Sequence, residues 1–276
     1  MCSKSLSRKD NIAILAGGGD ISTLAVEQAL KIYSKVVVIG FKNSAKPEQF
    51  KIFKTINFYQ TYPGLLKKNL KILKNERIKN ILFIGKIDKA KTFRENKFDL
   101  TAIKFLLKLK DKSDSSILQR LVDFFEGNGI RLISQKDFFE DIIMPTGFIT
   151  KRKFGKHIKN NIDFGFKVAK RIADLGIGQS LIVEDKMIIS IEAIEGTDEM
   201  IKRSKKYIKD KAVFIKVAKP KQNPKFDLPG FGLRTLKLLV KNGIKNIALE
   251  SGWVMLINKS DIIYFANRNK VSIFGI

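Results

Sequence analysis

Asn11-Ile-Ala-Ile-Leu-Ala-Gly17-Gly18-Gly19, followed by helix-like apolar spacing from Ile21 to Tyr33 and then by Val36-Val-Val-Ile39, decides the fold of the first half of the chain. After Asn11 the first run has no polar residue, so it reads as a strand buried on both faces, and so does the second. Strand, glycine turn, helix and strand make a βαβ unit, with two parallel strands joined by a right-handed crossover. The same alternation continues outward through a helix over Leu65 to Leu73 and a strand at Asn80-Ile-Leu-Phe-Ile84. An amphipathic helix over Ile117 to Phe125 is ended by Gly127-Asn-Gly129, and a strand follows at Ile130-Arg-Leu-Ile133.

Past Met144-Pro-Thr-Gly147 the pattern changes. A helix over Ile162 to Leu175 closes at Gly176 and Gly178. Ser180-Leu-Ile-Val183 and Met187-Ile-Ile-Ser-Ile191 flank Glu184-Asp-Lys186 as a hairpin. A helix near Glu199 to Tyr207, a strand over Val213 to Val217 and a helix from Leu233 to Asn242 come next. Strands at Asn246-Ile-Ala-Leu249 and Val254-Met-Leu-Ile257 precede a final helix and strand. The expected architecture is α/β in two domains. Residues 1–143 form an N-terminal Rossmann-like parallel sheet, and residues 144–276 form a mixed α/β domain carrying the catalytic motifs.

With 276 residues, 44% of them hydrophobic, the chain can bury a substantial core. A single cysteine, Cys2, excludes a disulfide framework and a cysteine zinc site. A single histidine, His157, excludes poly-histidine metal sites and argues against a Ser-His-Asp triad. It stands in a basic surface run from Lys151. Any bound metal should therefore take oxygen ligands, which favours Mg²⁺ or Mn²⁺. Residues 1–10 lack the apolar core of a signal peptide, and no apolar run spans a bilayer. The expected location is the cytoplasm.

The formal charge of +26 raises nucleic acid as a partner. Against that, 43 of the basic residues are Lys and 10 are Arg, and they are scattered along the chain. Arginine is the side chain suited to bidentate phosphate and guanine contacts. No nucleic-acid partner is expected. A basic face can instead hold the protein transiently at the anionic inner leaflet, as a peripheral protein beside an amphiphilic substrate.

Three segments carry candidate chemistry. Gly17-Gly18-Gly19 lies where a dinucleotide fold cradles pyrophosphate. Ser22 replaces the third glycine of that fingerprint, and the second strand ends without an acidic residue, so NAD is disfavoured. A phosphate or sugar contact and a plain tight turn both fit. Asp20 reads as a helix cap, and Asp114 likewise. Ile84-Gly85-Lys86 sets a cation at the same sheet edge.

The second segment, Ile191-Glu-Ala-Ile-Glu-Gly-Thr-Asp-Glu-Met200, ends a strand in carboxylates and turns into a helix. Here Glu192 can be an exposed strand residue and Asp198 a simple cap, or the turn can be a ligand site. The third, Lys216-Val-Ala-Lys-Pro-Lys-Gln-Asn-Pro-Lys-Phe-Asp-Leu-Pro-Gly230, has no helix or strand period. Its prolines restrict the residues before them to extended backbone. It sets one carboxylate, Asp227, among four lysines, which suits a metal ligand or general base facing a polyphosphate. A solvated connector is the plain alternative.

Gly-Gln-Ser (178–180), Ile-Glu-Ala-Ile-Glu-Gly-Thr-Asp (191–198), Lys-Pro-Lys-Gln (219–222), Phe-Asp-Leu-Pro (226–229) and Phe-Gly-Ile (274–276) together resemble the LpxI-type family of UDP-2,3-diacylglucosamine pyrophosphatases. Leu-Ala-Gly-Gly-Gly (15–19) and Ile-Gly-Lys (84–86) extend the resemblance over nearly the whole chain. It implies a lipid A pathway hydrolase that splits UDP-2,3-diacylglucosamine into UMP and the diacyl sugar 1-phosphate, lipid X, in a cleft between the domains. It also implies a divalent cation and water directed to the β-phosphorus, which the residues alone leave open.

Carried onto this sequence, the resemblance makes Asp227 the essential carboxylate and metal ligand, with Glu195 and Asp198 next in line. Gly17, Gly18, Gly19, Lys86, Gln179, Gly196, Thr197, Lys219 and Lys221 become substrate-binding candidates. The 21 phenylalanines permit an acyl groove without identifying it. Two other classes stay open: a nucleotide-sugar transferase or dehydrogenase, and a non-enzymatic RNA- or anionic-lipid-binding protein. The oligomeric state is open, with a homodimer as one option.

Overall fold

Strand β1 (Asn11–Ala16) pairs in parallel with β2 (Lys35–Phe41) on one side and β4 (Asn80–Ile84) on the other. A computed structural model of the chain describes residues 11–87, 94, 97–107 and 114–276. Residues 1–10, with Cys2 and the signal-peptide reading, lie outside them, and so does the side chain of Asp114. The described chain divides into two compact units, Met1–Gln135 and Lys136–Ile276.

The first unit is a five-stranded parallel sheet in the order β3-β2-β1-β4-β5, completed by β3 (Asn57–Thr61) and β5 (Arg131–Leu132). Ile12, Ile14, Val37, Ile39, Ile81 and Leu82 are wholly buried, as strands covered on both faces must be. Helix α1 (Asp20–Ile32) lays Ala25, Val26 and Ala29 into that core, and α2 (Leu66–Asn75) adds Leu66 and Leu73. Helices α3 (Leu100–Leu107) and α4 (Asp114–Glu126) follow. Gly19 is the cap residue of α1, so Asp20 is its first helical residue and not its cap.

The second unit has a six-stranded mixed sheet in the order β6-β13-β11-β9-β7-β8. Its strands are β6 (Gly147–Phe148), β7 (Ser180–Glu184), β8 (Met187–Ile191), β9 (Val213–Lys216), β11 (Asn246–Leu249) and β13 (Ser272–Gly275). A separate parallel pair is made by β10 (Gly230–Gly232) and β12 (Met255–Ile257). The expected hairpin is β7–β8, and its turn holds Asp185 and Lys186 at φ of 49° and 58°. That left-handed pair matches the twist of the strands it joins.

Period-two alternation splits this sheet between two cores. Val213 and Ile215 of β9 face α5 (Lys156–Asp174), where Ile162, Ala169 and Ala173 meet them. Phe214 faces the other way, onto α7 (Leu233–Lys241) through Leu236 and Leu239. Helices α6 (Thr197–Ser204) and α8 (Lys259–Arg268) add Met200, Ile201, Ile262 and Ala266 to that second core. Among the described residues no helix is long and apolar enough to cross a membrane. His157 is half-exposed and pairs with Asp185 at 2.7 Å.

Candidate active site

Strand directions gather the motifs of the second unit. Strands β9 and β11 run parallel, β7 runs against β9, and β8 runs against β7. Ser180 therefore lies opposite Lys216, Leu181 opposite Ile191, and Leu249 opposite Lys216. The start of β7 and the ends of β8, β9 and β11 share one sheet edge. This is the edge at which open α/β sheets bind ligands. The segments at 178–180, 192–198, 217–229 and Glu250 all leave from it. Gly178 is required there by space, because a Cβ would stand 2.0 Å from the Glu192 carbonyl oxygen.

The loop after β9 has neither helix nor strand over 217–229, as its prolines predict, although Lys216 and Gly230 themselves belong to strands. Gln222, buried within it, holds it together. Its Oε1 accepts from the Lys219 N–H at 3.0 Å and from Gln179 Nε2 at 3.0 Å. Its Nε2 donates to Asp227 Oδ2 at 2.8 Å and to the Asp227 carbonyl oxygen. Gln179 Nε2 also donates to the Val217 carbonyl at 3.2 Å, while the Val217 N–H donates to the Gln179 carbonyl at 2.8 Å. Asp227 is thereby exposed on a loop that is anchored from below. Lys219 is half-buried in the same loop, and Lys221 is exposed.

Glu192 is not the exposed strand residue that one reading of the sequence allows. Its Oε2 accepts from Ser180 Oγ at 2.6 Å and from the Gln179 N–H at 3.4 Å, and its Oε1 accepts from Thr197 Oγ1 at 2.7 Å. The Lys216 ammonium stands 3.9 Å from Oε2 and donates to Thr197 Oγ1 at 3.3 Å. Burial pushes the Glu192 carboxyl up, but Lys216, the two hydroxyls and the Gln179 N–H together hold it below the ordinary glutamate value. Burial pulls the Lys216 ammonium below the ordinary lysine value, against the attraction of Glu192 and Asp198.

Gly196, at φ 81°, caps α6, and Thr197 is its first helical residue. Asp198 in that first turn pairs with Arg234 at 2.9 Å and is not the cap. Glu195 accepts from Arg203 at 2.8 and 3.1 Å. Its own backbone N–H and then the Arg203 guanidinium lower its pKa. A further pair, absent from the sequence reading, fixes the same edge. Glu250 accepts from Lys170 Nζ at 2.9 and 3.1 Å and from the Ala218 N–H at 2.7 Å.

In the first unit the glycine turn is tied to the end of β4. Gly17 N–H donates to the Ile84 carbonyl at 2.8 Å, and Gly18 exchanges two hydrogen bonds with Lys86, at 2.8 and 3.0 Å. A Cβ would meet the Lys86 oxygen at 2.6 Å from Gly17 and the Ser44 oxygen at 2.6 Å from Gly18. These N–H groups serve the fold. Gly19 and the Lys86 side chain are exposed.

The LpxI N-terminal domain family matches residues 11–142, and the LpxI C-terminal domain family matches residues 145–274. The chain belongs to the LpxI family. The UDP-2,3-diacylglucosamine pyrophosphatase LpxI of Caulobacter vibrioides (strain ATCC 19089 / CIP 103742 / CB 15) is 24% identical over 281 residues, covering 96% of this chain and 97% of the relative. The resemblance read from the motifs is thus borne out, and with it the expectation of an enzyme. A solved structure, N5-carboxyaminoimidazole synthetase from Staphylococcus aureus, is 16% identical and covers 66% of this chain and 40% of that one. Its TM-score is 0.25.

Within this chain the structure brings together Gln179, Thr197, Lys219 and Asp227 with Glu192, which the sequence left between a strand residue and a ligand turn, and with Lys216 and Gln222, which stood in quoted segments without a role. The role of Gln222 needed the pairing of Val217 with Gln179. Two open depressions lie on the α6 face, the first of them reaching the 192–198 segment through Ala193 and Glu195. One is lined by Ala193, Glu195, Glu199, Lys202 and Arg203, and the other by Lys202, Arg203, Lys205 and Lys206. Neither includes Asp227, and the motif-bearing edge has the better claim because its polar groups converge.

Proposed function

We propose that this chain hydrolyses the pyrophosphate of UDP-2,3-diacylglucosamine to UMP and 2,3-diacylglucosamine 1-phosphate in lipid A biosynthesis. Water adds to the β-phosphorus, the bond from that phosphorus to the bridging oxygen breaks, and the bridging oxygen leaves with UMP. The observation that carries this reading is the family match over both halves of the chain. It is joined by a single exposed carboxylate on a braced loop among lysines.

Asp227 is the essential carboxylate, orienting the attacking water or holding the cation. Lys219 and Lys221 oppose phosphate charge as point cations. Gly196, Thr197, Gly19 and Lys86 are candidates for phosphate or ribose contacts. Glu195 and Asp198 act at one remove, through the α6 turn.

Mg²⁺ or Mn²⁺ is the proposed cofactor. Among the described residues no group of three or more His, Cys, Asp or Glu could cage a metal. An exposed carboxylate such as Asp227 fits an ion of the Mg²⁺ type, which commonly takes one or two carboxylates and fills its shell with phosphate oxygens and water. Bound at Asp227, such an ion would offset phosphate charge in the transition state. The lysine-rich surface is proposed to keep the protein at the cytoplasmic, anionic leaflet, where an amphiphilic substrate resides.

The test is turnover of UDP-2,3-diacylglucosamine in ¹⁸O-water with Mg²⁺, with and without EDTA. The expected result is EDTA-sensitive release of UMP, with ¹⁸O in the sugar 1-phosphate. Label in UMP would overturn attack at the β-phosphorus, and absence of cleavage would overturn the reaction.

A further inference from the structure

The Gln222 amide has one orientation compatible with its neighbours. At one end stand two donors, the Lys219 backbone N–H and the Gln179 amide nitrogen, each 3.0 Å from Oε1. At the other end stand two oxygens of Asp227, the carboxylate Oδ2 at 2.8 Å and the backbone carbonyl. A flipped amide would set N–H against N–H at Lys219 and oxygen against oxygen at Asp227. Gln179 is in turn pinned to the end of β9 through Val217, the first residue after that strand. A chain of amides therefore runs from the start of β7 to the Asp227 carboxylate.

Gln222 is 6% exposed, so its contacts are shielded from competing water. Both ends of the amide staple the loop, Oε1 through the Lys219 N–H and Gln179 and Nε2 through the Asp227 carbonyl, but only Nε2 also reaches a side chain that could carry chemistry. It meets the one carboxylate of the loop through a charge-assisted hydrogen bond of the stronger kind.

We infer that Gln222 is a positioning residue for the proposed hydrolysis, holding the Asp227 carboxylate in one orientation through the N–H that Lys219 and Gln179 force upon it. The inference rests on the role proposed for Asp227. Misplacing a reacting group by about 1 Å can cost about 10²-fold in rate, so a fixed carboxylate matters more than a merely present one.

The variant that separates the two halves is Gln222→Glu. It keeps the size of the side chain and an oxygen for Lys219 and Gln179, while the Nε2 that donates to the Asp227 carboxylate and carbonyl becomes a carboxylate oxygen that repels both. The expected effect is a fall in kcat of about 10- to 100-fold, with KM within about threefold. Gln222→Met, which fills the space without hydrogen bonds, should lower kcat in the same way and serves if the first variant does not fold.

Heat unfolding supplies a readout that needs no activity. Gln222→Glu should lower Tm in the wild-type background and lower it less in an Asp227→Asn background, where the new amide can donate to the introduced carboxylate. Equal falls in Tm in both backgrounds, or a kcat within about twofold of wild type, would overturn the role of Gln222 alone. A wild type without turnover would overturn the reaction, and this inference with it.

Discussion

The Lys216 ammonium stands 3.9 Å from the Glu192 carboxylate at the end of β9, with both side chains largely shielded from water. The two partners differ in how well they are satisfied. Glu192 accepts from two hydroxyls and a backbone N–H, whereas Lys216 donates to one hydroxyl at 3.3 Å. The carboxylate is comfortable in its charged form, and the ammonium depends on the carboxylate.

Lys216→Met should therefore destabilise the second unit by about 3 kcal/mol, because it leaves a buried carboxylate without its cation. Pairing it with Glu192→Gln should recover part of that loss. Urea unfolding of the two single variants and the double variant measures both effects. Equal stability of Lys216→Met and wild type would show that the pair contributes nothing.

Acid should weaken the same region. Glu192 has a folded pKa below its unfolded value. Its contribution is full above the unfolded value, where both states are ionised. As pH falls between the two values the unfolded chain takes up the proton first, so stability drops, and below the folded value the contribution is gone. The slope of unfolding free energy against pH, just below the ordinary glutamate range, should be shallower in Glu192→Gln than in wild type. Identical slopes would contradict it.

Gly178→Ala should cost about 1–3 kcal/mol, since its methyl would fall 2.0 Å from the Glu192 carbonyl oxygen and push two motif segments apart. Activity should fall with it, more steeply than in an alanine substitution at exposed Gly155, where φ is −90° and no atom lies within 4 Å of the added Cβ. Thermal unfolding and turnover of the two variants compare them directly.

Glu195→Gln and Asp198→Asn should each lower turnover less than a change at Asp227. Both acids are engaged with arginines on the surface, Arg203 and Arg234, and Arg234 is 88% exposed. Pairs of that kind add little stability, about 0–1 kcal/mol. A loss at either position equal to that of Asp227→Asn would move the catalytic centre into the α6 turn.

Much of this fold is legible in the chain. The apolar runs 12–16, 36–39 and 81–84 lie in the three central strands of the first sheet. Strand β3 escapes notice because Asn57-Phe-Tyr-Gln-Thr61 is an edge with mixed polarity. The first turns of α5, from Lys156 to Asn161, escape because most of their residues are polar.

Within the site, motif order marks Asp227, but composition treats Lys216, Lys219, Lys221 and Lys225 alike. Only the pairing of β9 with β7 buries Lys216 against Glu192 and leaves Lys221 in water. The orientation of Gln222 likewise follows from strand register and not from the local string.

The central claim is that Asp227 carries the hydrolysis, and its most direct test is turnover of UDP-2,3-diacylglucosamine by Asp227→Asn beside wild type, with heat unfolding of both. The account predicts a fall in kcat of about 10³-fold or more, with stability changed by no more than about 1 kcal/mol. A folded Asp227→Asn protein that turns over near the wild-type rate would contradict it.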